Sequence, residues 1–247
     1  MSLTEILALP AVAFLAFCLK GVAGIGVSTV AVPILSLLIG AKQIVVLSSI
    51  LNVIGGLMMY RIDPQPAPRS YWLPIAALMI IGTVIGCIAL KLTPLKSFEK
   101  ILGIAILAAG VWFIIWRGKL KSSSFQEQMP PTGRIKDYMI GFVGGLSGGF
   151  IGINSPIFIL YFGSYLAKGP MRRLLVLILL PSAFTKVATY AAVGLIDSQT
   201  LFYSLLSLPG LLLGIYIGNR TFFRISEKIF GIVLGAVLIV LSWGLIL

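Results

Sequence analysis

The sequence predicts an all-α polytopic membrane protein built from two homologous halves. Composition, the spacing of apolar runs and internal repetition carry that reading. Of 247 residues, 59% are hydrophobic and only 11% charged, and the mean hydropathy is +1.08. A soluble domain carries about 25% charged residues, so this chain lacks the polar surface that water requires. Apolar runs fall at about 3–39, 43–60, 71–90, 98–116, 137–167, 174–196, 200–219 and 229–247. Six of them match the roughly 20 residues of one membrane helix.

The other two, 3–39 and 137–167, are too long for one helix, and each is interrupted. The first is broken at G-V-A-G-I-G (21–26) with Pro33 beyond it, the second at G-G-L-S-G-G (144–149) with Pro156 beyond it. Between the halves, residues 117–136 are rich in Ser, Pro and charge, the composition of a solvent linker. The chain therefore divides into a first repeat (1–116), the linker (117–136) and a second repeat (137–247). A shift of 123 superposes Gly21 on Gly144, Gly26 on Gly149 and Pro33 on Pro156. A shift of 128 superposes Gly82 on Gly210, Gly86 on Gly214 and E-K-I-L-G-I (99–104) on E-K-I-F-G-I (227–232). Ordered matches that include charged and helix-breaking residues indicate duplication, a common transporter architecture.

Whether the repeats are inverted depends on the broken segments. As re-entrant hairpins they give each half three crossings and inverted repeats; as full spans they give eight crossings and parallel repeats. Lys20 and Lys186 lie inside apolar runs, leaving 17 Lys/Arg in loops. Hairpins divide these 13 to 4, with only Lys42, Lys91, Lys96 and Lys100 on the minor side; eight spans divide them 10 to 7. The positive-inside rule expects asymmetry. It therefore favours hairpins, a cytoplasmic linker and both termini outside. The hairpin arm 138–148 is then about 16 Å long, half the hydrocarbon thickness. The N-terminus lacks the basic region of a cleavable signal and is expected to be retained.

Net charge is +12. With the cations set between apolar runs, their partners are lipid headgroups rather than nucleic acid. No histidine is present, which removes histidine metal ligation and a Ser-His triad. Every Asp and Glu falls near the end of an apolar run, so neither a carboxylate proton relay nor an acidic ring is expected at mid-membrane. No phosphate-binding loop occurs, and no cofactor is expected. Cys18 and Cys87 are expected to pack as small hydrophobes.

Irregular backbone at membrane depth is tolerated where it is buried in protein or lines a wet cavity. The two breaks therefore propose a central anion site, since a helix starting there offers unpaired N–H groups and a positive dipole end. Gly24, Gly26, Gly148 and Gly149 would let a ligand approach the backbone. Ser28, Thr29, Ser147, Asn154 and Ser155 would add side-chain donors. Close helix packing is the competing role for such glycines, and it is the role expected of Gly82, Gly86, Gly210, Gly214 and Gly218. Lys186, inside run 174–196, is a functional candidate because a mid-bilayer cation is costly. Its alternatives are an ion pair or snorkelling. Lys20 is either a second cation at the break or the end of an ordinary helix. Asn52 and Thr185, on helices that correspond between the halves, complete the candidate set, with Ser48, Ser49, Ser182 and Tyr190 as weaker members.

At G-V-A-G-I-G-V-S-T-V-A-V-P (21–33), repeated in weaker form as G-G-L-S-G-G-F-I-G-I-N-S-P (144–156), the chain resembles the TauE/SafE family of sulfite-exporter-like membrane proteins. The resemblance spans essentially the whole chain. It implies secondary transport of small sulfur anions such as sulfite, sulfoacetate or related organosulfonates across the inner membrane, in either direction. The expected partners are thus a small anionic sulfur substrate and membrane lipid. A passive anion channel and a non-transporting assembly protein are the alternatives. Asn154–Ser155 replaces Ala31–Val32 in the second copy, which makes the two breaks unequal.

Overall fold

A computed structural model describes residues 3–23, 28–36, 38–62, 67–115, 134–163, 166, 168–221, 236, 238–240 and 242–243. They are helical almost throughout. In chain order the helices are α1 (Leu3–Ala23), α2 (Ser28–Leu35), α3 (Ala41–Ile62), α4 (Arg69–Leu92), α5 (Leu95–Ile115), α6 (Ile135–Phe150), α7 (Ser155–Phe162), α8 (Lys168–Ala192) and α9 (Ser198–Thr221). Helices α3, α4, α8 and α9 are each long and apolar enough to cross a membrane. Most of linker 117–136 and most of run 229–247 lie outside the described residues. Asp197 caps α9 by accepting the Thr200 backbone N–H at 2.7 Å. Hydrogen bonds from Thr200 hold its carboxyl below the usual range.

The polar and apolar faces are arranged for lipid. Leu73, Ile81, Ile85 and Ile88 of α4, and Leu205, Leu212, Leu213 and Tyr216 of α9, project outward. Lys20, Lys186, Arg172 and Asp137 are buried inside. An exposed apolar belt of this extent would associate in water; in hydrocarbon it is the solvated face.

Helices from opposite halves pack most closely. Helix α1 lies along α9 and α4 lies along α6, while α3 meets α8 between them. Small residues permit the approach. A Cβ on Gly82 or Gly86 would overlap the α6 carbonyl of Phe142 or Leu146; one on Gly141, Gly145 or Gly149 would overlap the α4 carbonyl of Ile75, Met79 or Thr83. Gly210, Gly214 and Gly218 meet the α1 carbonyls of Pro10, Phe14 and Cys18 in the same way. These are backbone-to-backbone contacts of the small-xxx-small kind.

The stretch 144–149 was expected to interrupt its helix, and it does not. Helix α6 runs through it, and the break comes afterwards, at 151–154. Packing is the reason: Gly145 and Gly149 lie against the α4 backbone, while Gly144 and Gly148 lie against Phe158 and Asn154, so the row serves close packing on both sides. At 16 residues α6 is about 24 Å long, half as long again as the expected arm. The turn itself uses Gly152 at φ +78°, a conformation that disfavours any residue with a Cβ.

Beyond Gly152 the chain doubles back. Asn154 lies against Gly148, the Phe158 ring lies against Gly144, and the Tyr161 hydroxyl donates to Asp137 Oδ1 at 2.5 Å. These pairs descend two antiparallel helices; a straight continuation would set Tyr161 about 36 Å from Asp137. Helix α1 is described as far as Ala23 and α2 from Ser28; most of the first predicted break, including Gly24 and Gly26, lies outside the described residues.

Side-chain contacts also sort the helix ends. Arg172, at the start of α8, donates to Asn219 Oδ1 at 2.7 Å near the end of α9 and to Met59 Sδ at 3.5 Å near the end of α3. Lys42, at the start of α3, donates to the Thr93 carbonyl beyond α4. Arg61, Arg69, Arg172 and Arg220 therefore share one end of the molecule, and Lys42 and Lys91 the other. Arg172, counted among loop cations from the sequence, is buried within α8.

Replacing Gly145 by Val drives a branched side chain into the Met79 carbonyl. Stability should fall by about 1–3 kcal/mol, read as a lower midpoint in heat-challenged gel filtration. Gly40→Ala, where a Cβ meets nothing within 4 Å, should leave the midpoint in place.

Candidate functional site

Five of the residues selected from sequence converge on one cavity: Lys20 of α1, Asn52 of α3, Asn154 and Ser155 at the start of α7, and Lys186 of α8. Both halves of the chain contribute. Lys186 is 3% exposed, which rules out snorkelling to an interface. Lys20 is not the plain end of a helix either, since its side chain is buried and reaches the same cavity.

Lys20 is held by a chain of neutral groups. Its Nζ donates to Asn52 Oδ1 at 3.0 Å and sits 5.5 Å from the centroid of the Phe17 ring. The Asn52 amide is oriented from its other side: Nδ2 donates to Ser28 Oγ at 3.1 Å and to the Ser48 carbonyl at 2.8 Å. Ser28 Oγ in turn donates to Ser48 Oγ at 3.2 Å. Gly55 makes room for Phe17, since a Cβ there would overlap the ring. Ser28, at the start of α2, thus supports the site from behind Asn52.

At the α6–α7 turn, Asn154 occupies the N-cap position of α7 without a side-chain capping bond. Ser155 Oγ reaches Asn154 Oδ1 at 3.4 Å. Pro156 follows within the first turn and has no N–H to satisfy. The remaining N–H groups of that turn have no partner within the helix, and its first residues line the cavity.

Other candidates are engaged elsewhere. Ser147 Oγ bonds the Gly144 carbonyl and Thr185 Oγ1 bonds the Pro181 carbonyl, each on its own helix. Gly148 backs Asn154, and Gly149 packs on α4 while its carbonyl accepts the Tyr190 hydroxyl at 2.6 Å. None of these four lines the cavity. Ser147, Gly148 and Gly149 were selected for a break that lies several residues further on, and Thr185 for its place on the helix that corresponds to that of Asn52. The Thr29 side chain, like Gly24 and Gly26, lies outside the described residues.

The rest of the wall was not selected from sequence. Gly56 and Met59 of α3 contribute, as do Leu175, Val176, Leu179, Leu180 and Ala183 of α8. A signal existed: stepping back from Lys186 by three and four residues gives Ala183, Leu179, Val176 and Leu175, one face of a helix. One further turn reaches Arg172. From Leu175 to Lys186 the wall runs about 16 Å along α8. Asp137 was also missed; its place near a run end suggested solvent, yet it is 1% exposed.

Electrostatically, two lysine side chains face a cavity whose wall, among the described residues, contains no acidic residue. Placing two like charges in a low-dielectric interior is costly, and a bound anion relieves it. The cavity volume is about 30 Å³. About 10–15 Å³ of such space holds one water, so the room suits a small ion. Among the described residues no three His, Cys, Asp or Glu side chains are placed to hold a metal.

The family model described as sulfite exporter TauE/SafE matches residues 9–245. The chain belongs to the TauE/SafE family. Membership implies a multi-pass membrane transporter of sulfur anions, in keeping with a cavity walled by cations. No curated protein and no solved structure matches the chain.

Asn52→Asp would give Lys20 an internal counter-ion. An anion drawn to Lys20 should then bind about tenfold more weakly, measured as a reduced anion-induced thermal shift, because it must compete with a fixed carboxylate.

Proposed function

We propose that this protein is a secondary transporter that moves a small sulfur oxyanion by alternating access around the Lys20–Lys186 cavity. The observation that carries the reading is a pair of buried lysines, contributed by opposite halves, in a wall that holds no carboxylate among the described residues. Lys186 and Lys20 attract the charge. The start of α7, with Asn154 and Ser155, supplies amide and hydroxyl donors to the sulfur-bound oxygens. The small volume favours sulfite- or thiosulfate-sized ions over bulky aryl sulfonates.

Alternating access requires a closure on each side of the site. At one end Arg172, one turn beyond Leu175 on α8, reaches Asn219 of α9 and Met59 of the cavity wall on α3, which suits a gate made when these helices meet. The matched order of the halves, and the exchange of α1·α9 for α4·α6, support two inverted repeats that rock against each other. The concentration of basic residues at the Arg172 end supports a cytoplasmic linker.

Lys186→Ala should abolish sulfite flux into proteoliposomes while the variant still inserts and elutes as wild type; undiminished flux would remove Lys186 from the mechanism. A cysteine placed at Ser122 should react with a membrane-impermeant maleimide only after the cell envelope is opened. Reaction in intact spheroplasts would reverse the orientation.

A further inference from the structure

The cations and donors of the cavity gather at one level, and the wall changes chemistry one turn away. Asn52 holds Lys20 at 3.0 Å, and the start of α7 joins them with Asn154 and Ser155. Helices α3 and α8 run antiparallel here. Gly56 meets Leu180, while Met59, further along α3, meets Arg172, earlier on α8. In that register Asn52 stands level with Phe184, within one turn of Lys186. Toward the Arg172 end, Gly56 and Leu180 form the next layer of the wall, and Met59 and Val176 the one after. Asn52, Gly56 and Met59 follow one another by four and three residues, so a single face of α3 passes from an amide to bare backbone to a thioether.

The layer beside the donors is built around a missing side chain. Gly56 is buried, and a Cβ there would come within 2.8 Å of Leu180 Cδ1. The Leu180 side chain therefore packs directly on the Gly56 backbone. Both residues face the cavity, so an apolar methyl-lined floor lies below the level of the lysines.

Such a floor reads what lies opposite an anion's oxygens. When the donors bind the oxygens of an SO3 group, the fourth position on sulfur points at Gly56 and Leu180, four residues or about 6 Å further along α3. In sulfite that position holds a lone pair, in thiosulfate a second sulfur, in an alkanesulfonate a carbon. In sulfate it holds a fourth charged oxygen, which a leucine methyl cannot satisfy. An oxygen acceptor buried against such a surface is penalised. Thiosulfate and sulfate carry the same charge, so the two lysines attract them alike and the floor must tell them apart.

We propose that the Gly56–Leu180 layer is the specificity-determining element of the site, admitting sulfur anions with an oxygen-free pole and rejecting sulfate. This rests on the transporter reading above and narrows its substrate class to X–SO3 anions in which X is a lone pair, a sulfur or a small carbon group. The polarisable Met59 thioether in the following layer suits a sulfur or methyl at X. Selectivity of this kind comes from an apolar obstacle to the wrong ion as much as from contacts with the right one.

The test titrates purified full-length protein with sodium thiosulfate and sodium sulfate by isothermal calorimetry, two ions of one charge and one shape that differ in a single atom. Wild type should bind thiosulfate at least about tenfold more tightly. Because water also holds sulfate more strongly, the decisive readout is how the ratio moves in variants. Leu180→Asn places an amide donor on the floor; sulfate should gain about tenfold and the preference collapse. Gly56→Ala drives the Leu180 tip toward the donors; thiosulfate and methanesulfonate should weaken about tenfold, while sulfite, which has no fourth atom, changes least. A ratio of affinities does not depend on the fraction of protein folded, and either variant decides if the other fails to fold. Equal wild-type affinity for thiosulfate and sulfate, a ratio unmoved in Leu180→Asn, or sulfite weakened as much as thiosulfate in Gly56→Ala overturns the proposal and leaves the transporter reading standing. Failure of thiosulfate, sulfite and methanesulfonate alike to bind wild type overturns the transporter reading itself, and this proposal with it.

Discussion

Uncompensated positive charge inside an apolar protein is the constraint on which the rest of this structure depends. An ammonium group taken out of water costs several kcal/mol unless something answers its charge. The cavity holds two lysines, with no acid in its wall among the described residues. Such a site survives only if the scaffold around it is firm enough that neither lysine can retreat toward the membrane surface. Lys20 is therefore fixed by an oriented amide and an aromatic face, and Lys186 by its depth within α8.

Firmness comes from helices that touch backbone to backbone. The glycine rows of α4 and α6 interlock, and those of α9 lie on α1, so helices of opposite halves are bound more intimately than neighbours in sequence. Helices α3 and α8, which carry Asn52 and Lys186, are held between these pairs. Thr83 Oγ1 and Ser182 Oγ, 2.8 Å apart, pin α4 to α8 one turn from Lys186. The short helix α7 brings its first residues to the cavity, and α2 sets Ser28 behind Asn52. The packing thus separates a rigid frame from two small inserts that carry the donors.

Much of this was legible in the sequence because the cost of breaking a rule in lipid is high. A lysine in an apolar run, an asparagine at a helix centre and an interrupted hydrophobic segment are each expensive there, and Lys186, Asn52, Asn154 and Ser155 were found on that ground. The glycines misled, since a row that lets two helices touch reads like a row that breaks one. Only the partner helix distinguishes the two, and a single sequence does not display the partner; Ser147, Gly148 and Gly149 were selected for that reason. Arg172 and Asp137 were passed over by the opposite error. Proximity to a run end suggested water, yet hairpin α6–α7 and the end of α9 cover them.

The amide of Asn52 has one more consequence. Its oxygen occupies a coordination position on Lys20 that an incoming oxyanion would otherwise fill, and it does so without cancelling the charge. The side chain acts as a placeholder: a visitor displaces a dipole rather than a rival ion, and on leaving finds the dipole ready to return. On the proposed transport role, displacing a dipole costs less than displacing a paired ion, which favours exchange over tight retention.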